Sequence, residues 1–529
     1  MLESMFHDLV NAGFLVPETS VSGTSRPTER NRIESVGIVT SWREGAVERC
    51  VDSWAAQARQ HGRSHNLVIS DDATDPRIRQ SRMSSLAELS RRSGIAISYA
   101  GMEEKRLFAD ALADEGIDRA TVRFALFDTE GCGVPTGANR NALLLDHVGK
   151  VVFHCDDDTV CQIASTQAEP VSAATHFDGH NPNQLWFFAD RDTAINAVSF
   201  ESRDLLASHE EFLGASLGAC IDPAGAGSNG DRRIPHEFFA LLQAGTGRIA
   251  VTQNGLVGDS GFSSCNGYLT VGGPTRERLV SSEAAYRSAT TSRSVLQTVS
   301  QPTISTGAFC MSYCLGLDLR HIVPPFFPVR RNSDGVFGRL LRSCFEPALF
   351  AHVPVAILHD PPPGRRYSPG AIWKESASVY LSGVVLRVID GFSFGPVTDG
   401  VRRMRMLGRY LIDVASSDAT GFQDFLRRNA WEAATQTLEN LERAISTFGR
   451  APDYWAADCD RCAEHLTRAL TTPDYGLPLD LREKRTREEC CALTQRLLYR
   501  YGELLIAWPD IVEAAQVLRR RGVAVSHPV

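Results

Sequence analysis

Short apolar strands alternate with amphipathic helices over the first third of this chain, and this alternation limits the folds open to it. Two strands are predicted at Ser35–Thr40 and Asn66–Ser70, and apolar residues from Val47 to Ala58 recur between them at helical spacing. Two further strands are predicted at Ile95–Tyr99 and Lys150–His154. Strands separated by helices form parallel sheets, because each helix returns the chain to the starting edge. The sequence therefore predicts an α/β fold with a mostly parallel sheet.

The length of the chain predicts more than one packed core. It has 529 residues, whereas single cores stop growing at roughly 250–300 residues. We expect a short helix at Met5–Phe14 and a polar linker within residues 1–30, followed by the first half of the α/β unit at 31–165. Residues 166–375 are predicted to form its second half with a long insertion. Residues 376–529, in which helical periodicity dominates, are predicted to be an all-helical domain.

Charge and hydropathy exclude some classes of partner. The formal net charge of -8 argues against broad nucleic-acid binding, which needs a basic surface. The longest apolar stretch, near Ala377–Ile389, is interrupted by polar residues and Gly383 and is shorter than the roughly 20 residues of a membrane span. The N-terminus lacks the early basic residues of a signal peptide, and 13 scattered cysteines do not suggest a disulfide framework. We therefore expect a cytoplasmic protein without a membrane span or a nucleic-acid partner.

Three consecutive carboxylates, Asp156, Asp157 and Asp158, directly follow the fourth predicted strand. Adjacent carboxylates repel each other, and burial adds a desolvation cost, unless a cation offsets their charge. Mg²⁺ and Mn²⁺ prefer oxygen ligands, commonly a few carboxylates together with phosphate oxygens and water. In open α/β sheets ligands lie at the carboxyl ends of the strands. The triplet is therefore a candidate metal site, and a solvated acidic turn is the alternative.

Polar segments follow the predicted strands, or begin the predicted helices, in a definite order. They are Ile38-Val-Thr-Ser-Trp42, Val68-Ile-Ser-Asp-Asp72-Ala-Thr-Asp75, Gly137-Ala-Asn-Arg140-Asn-Ala-Leu and Val152-Phe-His-Cys-Asp156-Asp-Asp158. In order and spacing they resemble the nucleotide-binding half of GT-A-fold glycosyltransferases, above all the large inverting family 2. The resemblance implies a Rossmann-like GT-A fold with a nucleotide-sugar-binding half at 31–165 and an acceptor-side half at 166–375. It also implies a nucleoside-diphosphate sugar as the donor.

The resemblance implies roles for residues at the base end of the donor. Thr40 and the aromatic face of Trp42 would cradle the base, although Trp42 can also be a packing residue at a helix start. A carboxylate at the end of the second strand would accept a base N–H, and either Asp71 or Asp72 aligns with it. Arg140 would contact the base or a phosphate.

The resemblance also implies how the diphosphate and a metal are held. Asp158 would bind Mn²⁺ or Mg²⁺, Asp156 would face the ribose and reach the metal, and Asp157 belongs to the donor site without an assigned role. His359 follows an apolar strand and would complete the metal shell, the alternative being a structural histidine. Arg365, followed by Arg366, is a candidate clamp for the diphosphate, and a solvated basic pair is the alternative.

A later segment, Pro324-Pro-Phe-Phe-Pro-Val-Arg-Arg-Asn-Ser333-Asp334-Gly, resembles the acidic motif that begins the acceptor-side helix of the family. The usual Glu-Asp pair is replaced by Ser333-Asp334, so one carboxylate remains. One is sufficient for a general base that removes a proton from the acceptor nucleophile. Asp334 is therefore the predicted catalytic base of a single displacement with inversion, and an N-cap role is the alternative.

Other functions have to be weighed against sugar transfer. Sugar nucleotidyltransferases also use carboxylates and Mg²⁺, but they carry a Gly-rich basic loop after the first strand, where residues 40–44 read Thr-Ser-Trp-Arg-Glu. A non-catalytic scaffold with a partner-binding helical domain is a third hypothesis. Cys459, Cys462 and His465 have the composition of a zinc site, although their spacing equally fits a helix that buries small thiols. The acceptor stays open among a peptide or protein, a glycan and a small metabolite, and the helical domain could form a homodimer.

Overall fold

The computed structural model describes residue 5 and residues 31–41, 43, 45–75, 79–165, 175–179, 181–221, 234–483 and 485–529. The predicted helix Met5–Phe14 lies outside these ranges apart from Met5, and so does the linker that follows it.

Strands and helices alternate in the first half, and helices dominate the second. The strands are β1 (Ser35–Thr40), β2 (Asn66–Asp71), β3 (Ile97–Ala100), β4 (Val151–Asp156), β5 (Thr159–Ser165), β6 (His176–Asp178), β7 (Gln184–Phe187), β8 (Ser199–Glu201), β9 (Arg248–Asp259), β10 (Ser294–Thr298), β11 (Thr303–Ser305), β12 (Cys314–Asp318), β13 (Ala348–His359) and β14 (His527–Pro528). The α-helices are α1 (Ala46–Gln60), α2 (Arg79–Ser93), α3 (Met102–Asp114), α4 (Arg119–Leu126), α5 (Thr136–Asp146), α6 (Arg191–Asn196), α7 (Leu205–Glu210), α8 (His236–Gln243), α9 (Gly273–Leu279), α10 (Glu283–Ala289), α11 (Ser333–Cys344), α12 (Ala371–Lys374), α13 (Leu381–Gly391), α14 (Gly400–Ala415), α15 (Ala419–Phe448), α16 (Asp453–Leu470), α17 (Leu479–Arg482) and α18 (Arg487–Arg520). Single 3₁₀ turns occur at Leu217–Cys220, Asn266–Leu269 and Glu375–Ala377.

One mixed sheet forms the centre of the molecule. Its first part has the order β3-β2-β1-β4, and all of these neighbours are parallel. Beyond β4 the order continues as β12-β9-β13-β11-β6, in which β12 is antiparallel to both neighbours and β9 is parallel to β13. The predicted α/β class is confirmed, and the parallel part coincides with the strands that the sequence predicts.

The helix after β1 shows how the sequence pattern builds this layer. Val47, Val51 and Trp54 lie on one face of α1 and are fully buried against the sheet. Gly45 precedes α1 with φ of 71°, in the left-handed region that glycine adopts without steric cost. Arg43 lies two residues before Gly45, between the end of β1 and the start of α1.

The helical C-terminal region packs directly on the sheet. Trp508 of α18 is buried and its Nε1 donates to the carbonyl oxygen of Val323 at 2.7 Å. Helices α14 and α18 cross at Gly408 and Gly502, where a Cβ on Gly408 would lie 2.7 Å from the Gly502 carbonyl oxygen. Strand β14 then pairs antiparallel with β3 at the sheet edge. The described elements within residues 376–529 are thus helices except for β14. They share a core with the sheet. The domain boundaries stay predictions.

Two further expectations concern the surface and the thiols. None of the helices in the described ranges is both long and apolar enough to cross a membrane. Cys459 and Cys462 are buried in α16, and among the described residues no group of three or more His, Cys, Asp or Glu is arranged to hold a metal ion. The spacing of these cysteines therefore follows from the buried face of a helix.

Candidate functional site

The carboxyl ends of β1, β2 and β4 meet, as the parallel register requires. Thr40 lies opposite Asp71, and Val39 lies opposite Asp156. The Thr40 hydroxyl donates to Asp157 Oδ2 at 2.7 Å. The last residue of β13, His359, pairs with Thr159 at the start of β5. The acidic triplet therefore lies between the first strand and the last long strand of the sheet.

Each carboxylate of the triplet has a different environment. Asp156 is partly exposed and accepts a hydrogen bond from the buried Arg140. Asp157 is fully buried, and burial raises its pKa to about 6 although Arg43 and Thr40 oppose the shift. The pKa of Asp158 lies well below its usual range: burial alone would raise it, but His359 and Arg43 outweigh that penalty.

Asp158 and His359 form a buried pair. His359 Nε2 lies 3.4 Å from Asp158 Oδ1, while Nδ1 is 2.5 Å from the carbonyl oxygen of Asp259. That carbonyl is an acceptor only, so Nδ1 carries the proton and Nε2 faces the carboxylate. Burial lowers the pKa of His359, but the charge of Asp158 outweighs burial and raises that pKa to about 9.

Asp158 and His359 together offer donor atoms that can bind a divalent cation. At 3.4 Å the contact is too long for a well-formed hydrogen bond. Asp158 Oδ1 is therefore a buried oxygen without a hydrogen-bond partner in the described part of the chain. A carboxylate oxygen is the ligand type that Mn²⁺ and Mg²⁺ prefer, and the neighbouring imidazole nitrogen can complete a metal shell once it has lost its proton. Two of the three predicted metal ligands thus come together, whereas the third, Asp156, is hydrogen-bonded to Arg140.

At the end of β2, neighbouring aspartates point into different surroundings. Asp71 is fully buried and its Oδ2 accepts hydrogen bonds from Arg82 at 2.8 Å and Tyr99 at 2.9 Å. Asp72 is partly exposed, and its pKa is raised to about 6 by burial, with Lys105 opposing the shift and the charges of Asp71 and Asp157 adding to it. Lys105 donates to the Asp71 carbonyl oxygen at 2.9 Å. Asp71 therefore stabilises the fold, and Asp72 is the carboxylate within reach of a ligand.

Substitutions at these two positions are expected to have opposite consequences. Asp71→Asn should lower the free energy of unfolding by about 3–5 kcal/mol, because it leaves the buried Arg82 without its carboxylate. Asp72→Asn should leave stability at pH 7 equal or slightly higher. The folded-state pKa of Asp72, about 6, lies above the ordinary value of 3.8. Ionising Asp72 therefore destabilises the fold, and stability falls as pH rises from 3.8 to about 6.

Urea unfolding followed by tryptophan fluorescence measures both stabilities, and calorimetry measures nucleotide affinity. Asp72→Asn is expected to weaken nucleotide binding, with no loss of stability. A destabilised Asp72→Asn beside an unaffected Asp71→Asn would reverse the assignment.

Arg140 connects the triplet to the acceptor side. It is almost fully buried, donates to Asp156, and its NH1 donates to the carbonyl oxygen of Ser312 at 3.0 Å. The Ser312 amide and hydroxyl in turn donate to Asp334 Oδ2 at 3.0 and 3.1 Å. The Arg140 guanidinium thus holds Asp156 and Ser312, and Ser312 in turn holds Asp334. This role differs from the predicted contact with base or phosphate, which stays untested.

The position of Asp334 depends on close backbone approaches. A Cβ on Gly137 would lie 1.8 Å from the Phe327 carbonyl oxygen, so only glycine lets α5 approach the segment before α11. Helix α11 begins at Ser333, and Asn332, with φ of 67°, is its N-cap. Asp334 therefore lies in the first turn and is not the cap. Its side chain is partly exposed.

The two arginines after β13 line one cleft but differ in exposure. The cleft has a volume of about 280 Å³, and its lining includes Arg365, Arg366 and Asp259, whose carbonyl oxygen accepts from His359. Arg365 is half-buried, and its pKa is lowered by burial while Asp259 and Asp158 oppose the shift. Arg366 is exposed and donates to the carbonyl oxygen of Ala189 at 3.4 Å. Both arginines thus line the cleft, and Arg365 is the one whose charge interacts with Asp158.

Arg43 is a site residue that the motif comparison overlooked. Its guanidinium contacts both Asp157 and Asp158, with NH1 2.7 Å from Asp158 Oδ2. The sequence offers one indication of this role, which is a cation three residues after the first strand, next to the segment predicted to bind the base. Trp42, which is predicted to cradle the base, lies outside the described residues.

Comparisons with known proteins add little to this geometry. No family model and no curated protein matches the chain. Among solved structures, the crystal structure of S. aureus TarS 1-349 aligns with 93% of this chain and 92% of that chain, at 10% sequence identity and a TM-score of 0.22. A TM-score that low supports no argument about fold or function, so the function has to be inferred from the site itself.

Proposed function

We propose that this protein is a glycosyltransferase that moves a sugar from a nucleoside-diphosphate donor to an acceptor with the help of Mn²⁺ or Mg²⁺. The observation that carries the proposal is the buried Asp158–His359 pair, 3.4 Å apart, in which Asp158 lies between β4 and β5 and His359 ends β13. Asp158 Oδ1 has no hydrogen bond of normal length within the described residues, although a buried carboxylate oxygen normally has one. Asp158 and His359 are the residues that would hold the ion.

The donor would extend along the ends of the parallel strands. Asp72, partly exposed at the end of β2, suits the base, and Asp156 suits the ribose because its side chain is partly exposed. The diphosphate would lie near Asp158, where Arg365 is the half-buried cation of the adjoining cleft. A divalent cation would offset the negative charge that develops on the departing diphosphate.

The protein's own base would act from the other side of the donor. Asp334 Oδ2 is held by Ser312, and Oδ1 accepts from the Gly335 amide at 3.0 Å, so the carboxylate is fixed in place. It would take the proton of the acceptor nucleophile as that group attacks the anomeric carbon. Attack opposite the leaving diphosphate inverts the anomeric configuration. NMR analysis of the product anomer tests this step, and a retained configuration would exclude it.

Thermal unfolding with a panel of UDP-, GDP- and TDP-sugars, with and without Mn²⁺, tests the proposal as a whole. We expect at least one nucleotide sugar to raise the unfolding temperature only when Mn²⁺ is present. Ligand at about 100 times its Kd adds about 2.7 kcal/mol to the free energy of unfolding. If no nucleotide stabilises the protein in a metal-dependent way, the proposal fails. The acceptor, the homodimer through the helical region and the cytoplasmic location stay predictions.

A further inference from the structure

The guanidinium of Arg43 spans two carboxylates of the triplet, and we name this set of contacts the Arg43 fork. NH1 lies 2.7 Å from Asp158 Oδ2, Nε lies 3.3 Å from Asp157 Oδ2, and NH2 contacts Asp157 Oδ1. The carboxylates are buried, with side-chain exposures of 0% and 5%, whereas Arg43 is 32% exposed. The fork thus closes the solvent side of a buried acidic pair.

The Arg43 fork competes with a metal for the same ligand. One oxygen of Asp158 faces His359, and the other accepts from Arg43. A divalent cation bound to Asp158 would lie close to the guanidinium, and like charges repel strongly where little water screens them. The divalent cation therefore has to displace Arg43 from Asp158, or it binds more weakly because the guanidinium repels it.

Each carboxylate of the triplet already contacts an arginine. Arg140 contacts Asp156, and Arg43 contacts both Asp157 and Asp158. A divalent cation alone would add positive charge beside these guanidinium groups, and a diphosphate would bring negative charge that offsets it. The guanidinium fork also matches phosphate oxygens, to which arginine commonly makes paired hydrogen bonds.

We infer that Arg43 makes metal binding conditional on the diphosphate of the donor. Without ligand, the Arg43 fork holds Asp158. When the metal and the diphosphate arrive together, NH1 leaves Asp158 for a phosphate oxygen, while Asp157 keeps its hydrogen bond from Thr40 at 2.7 Å. Arg43 can make this move because it lies outside both β1 and α1 and is partly exposed. The inference rests on the proposed function and adds to it an order of assembly.

Mn²⁺ binding, measured by electron paramagnetic resonance of the free ion, tests the inference without any turnover. The titration is made with Mn²⁺ alone and with UDP, GDP or TDP. For the unaltered protein we expect weak binding of Mn²⁺ alone, and about tenfold or more tighter binding with the nucleotide that fits the site. For Arg43→Gln we expect Mn²⁺ alone to bind about tenfold more tightly than it binds the unaltered protein, and the gain from the nucleotide to shrink.

Two further variants complete the test. Arg43→Lys keeps a cation but cannot span both carboxylates, so its Mn²⁺ affinity should lie between the other two; it also serves if Arg43→Gln does not fold. Arg92→Gln removes an exposed arginine paired with Asp52 at 2.8 Å and should leave Mn²⁺ binding unchanged. Unchanged or weaker binding of Mn²⁺ alone in Arg43→Gln and Arg43→Lys, with the nucleotide effect intact, overturns the inference and leaves the proposed function standing. No effect of any nucleotide in any variant overturns both.

Discussion

Asp158→Asn is expected to lower the rate of sugar transfer by about 10³-fold or more and to abolish the part of nucleotide binding that depends on Mn²⁺. Asparagine keeps the size of the side chain but loses the charge that faces His359 and Arg43. The measurement is nucleotide affinity by calorimetry with and without Mn²⁺, together with hydrolysis of the donor followed by mass spectrometry. Asp52→Asn, which alters an exposed carboxylate on α1, is the control and should change neither quantity.

The same substitution also affects stability, and the sign follows from the ion pair. The pKa of Asp158 lies below its usual range in the folded protein, so its ionised form stabilises the fold. That contribution is fully present above the unfolded-state value of 3.8 and is lost as pH falls through the lower folded-state pKa. Asp158→Asn should therefore be less stable at pH 7. Intact metal-independent nucleotide binding would show that the variant is folded, and Mn²⁺-dependent binding equal to that of the unaltered protein would refute the metal assignment.

Asp334→Asn is expected to lower turnover by about 10²- to 10⁴-fold while leaving donor and Mn²⁺ binding unchanged. The base acts on the acceptor, so its loss removes a contact made only in the transition state. Hydrolysis of the donor, with water in place of the acceptor, gives the rate, and calorimetry gives the donor affinity. Asparagine keeps a side-chain oxygen that can accept from Ser312, so we expect the rest of the site to be unchanged.

Ser333→Ala is the matched control for Asp334. Ser333 is buried beside it at the position where the resembling family carries a glutamate. If one carboxylate is enough, Ser333→Ala keeps most of the activity. Equal losses of donor binding in Asp334→Asn and Asp158→Asn would mean that Asp334 belongs to the donor site and is not the base.

The pattern of strands, helices and strand-end acids is determined by the sequence itself. The strands β1, β2 and β4 are mainly apolar and have the length of typical strands. The acidic triplet begins with the last residue of β4. Such features are local, because burial periodicity and chain reversal are set by residues a few positions apart. They are sufficient to predict the α/β class and to bring the ends of parallel strands to one edge.

Only the tertiary structure decided which of those polar residues face a ligand. Asp71 and Asp72 are equally good candidates in the sequence. In the structure Arg82 and Tyr99 donate hydrogen bonds to Asp71, whereas Asp72 stays partly exposed. The Arg43 fork joins residues more than a hundred positions apart, and the Asp158–His359 pair joins the segment between β4 and β5 to the end of β13. Such contacts depend on how distant segments pack, and no local periodicity encodes that packing. The sequence therefore predicts where acids collect, and the fold decides which acid is buried, paired or accessible.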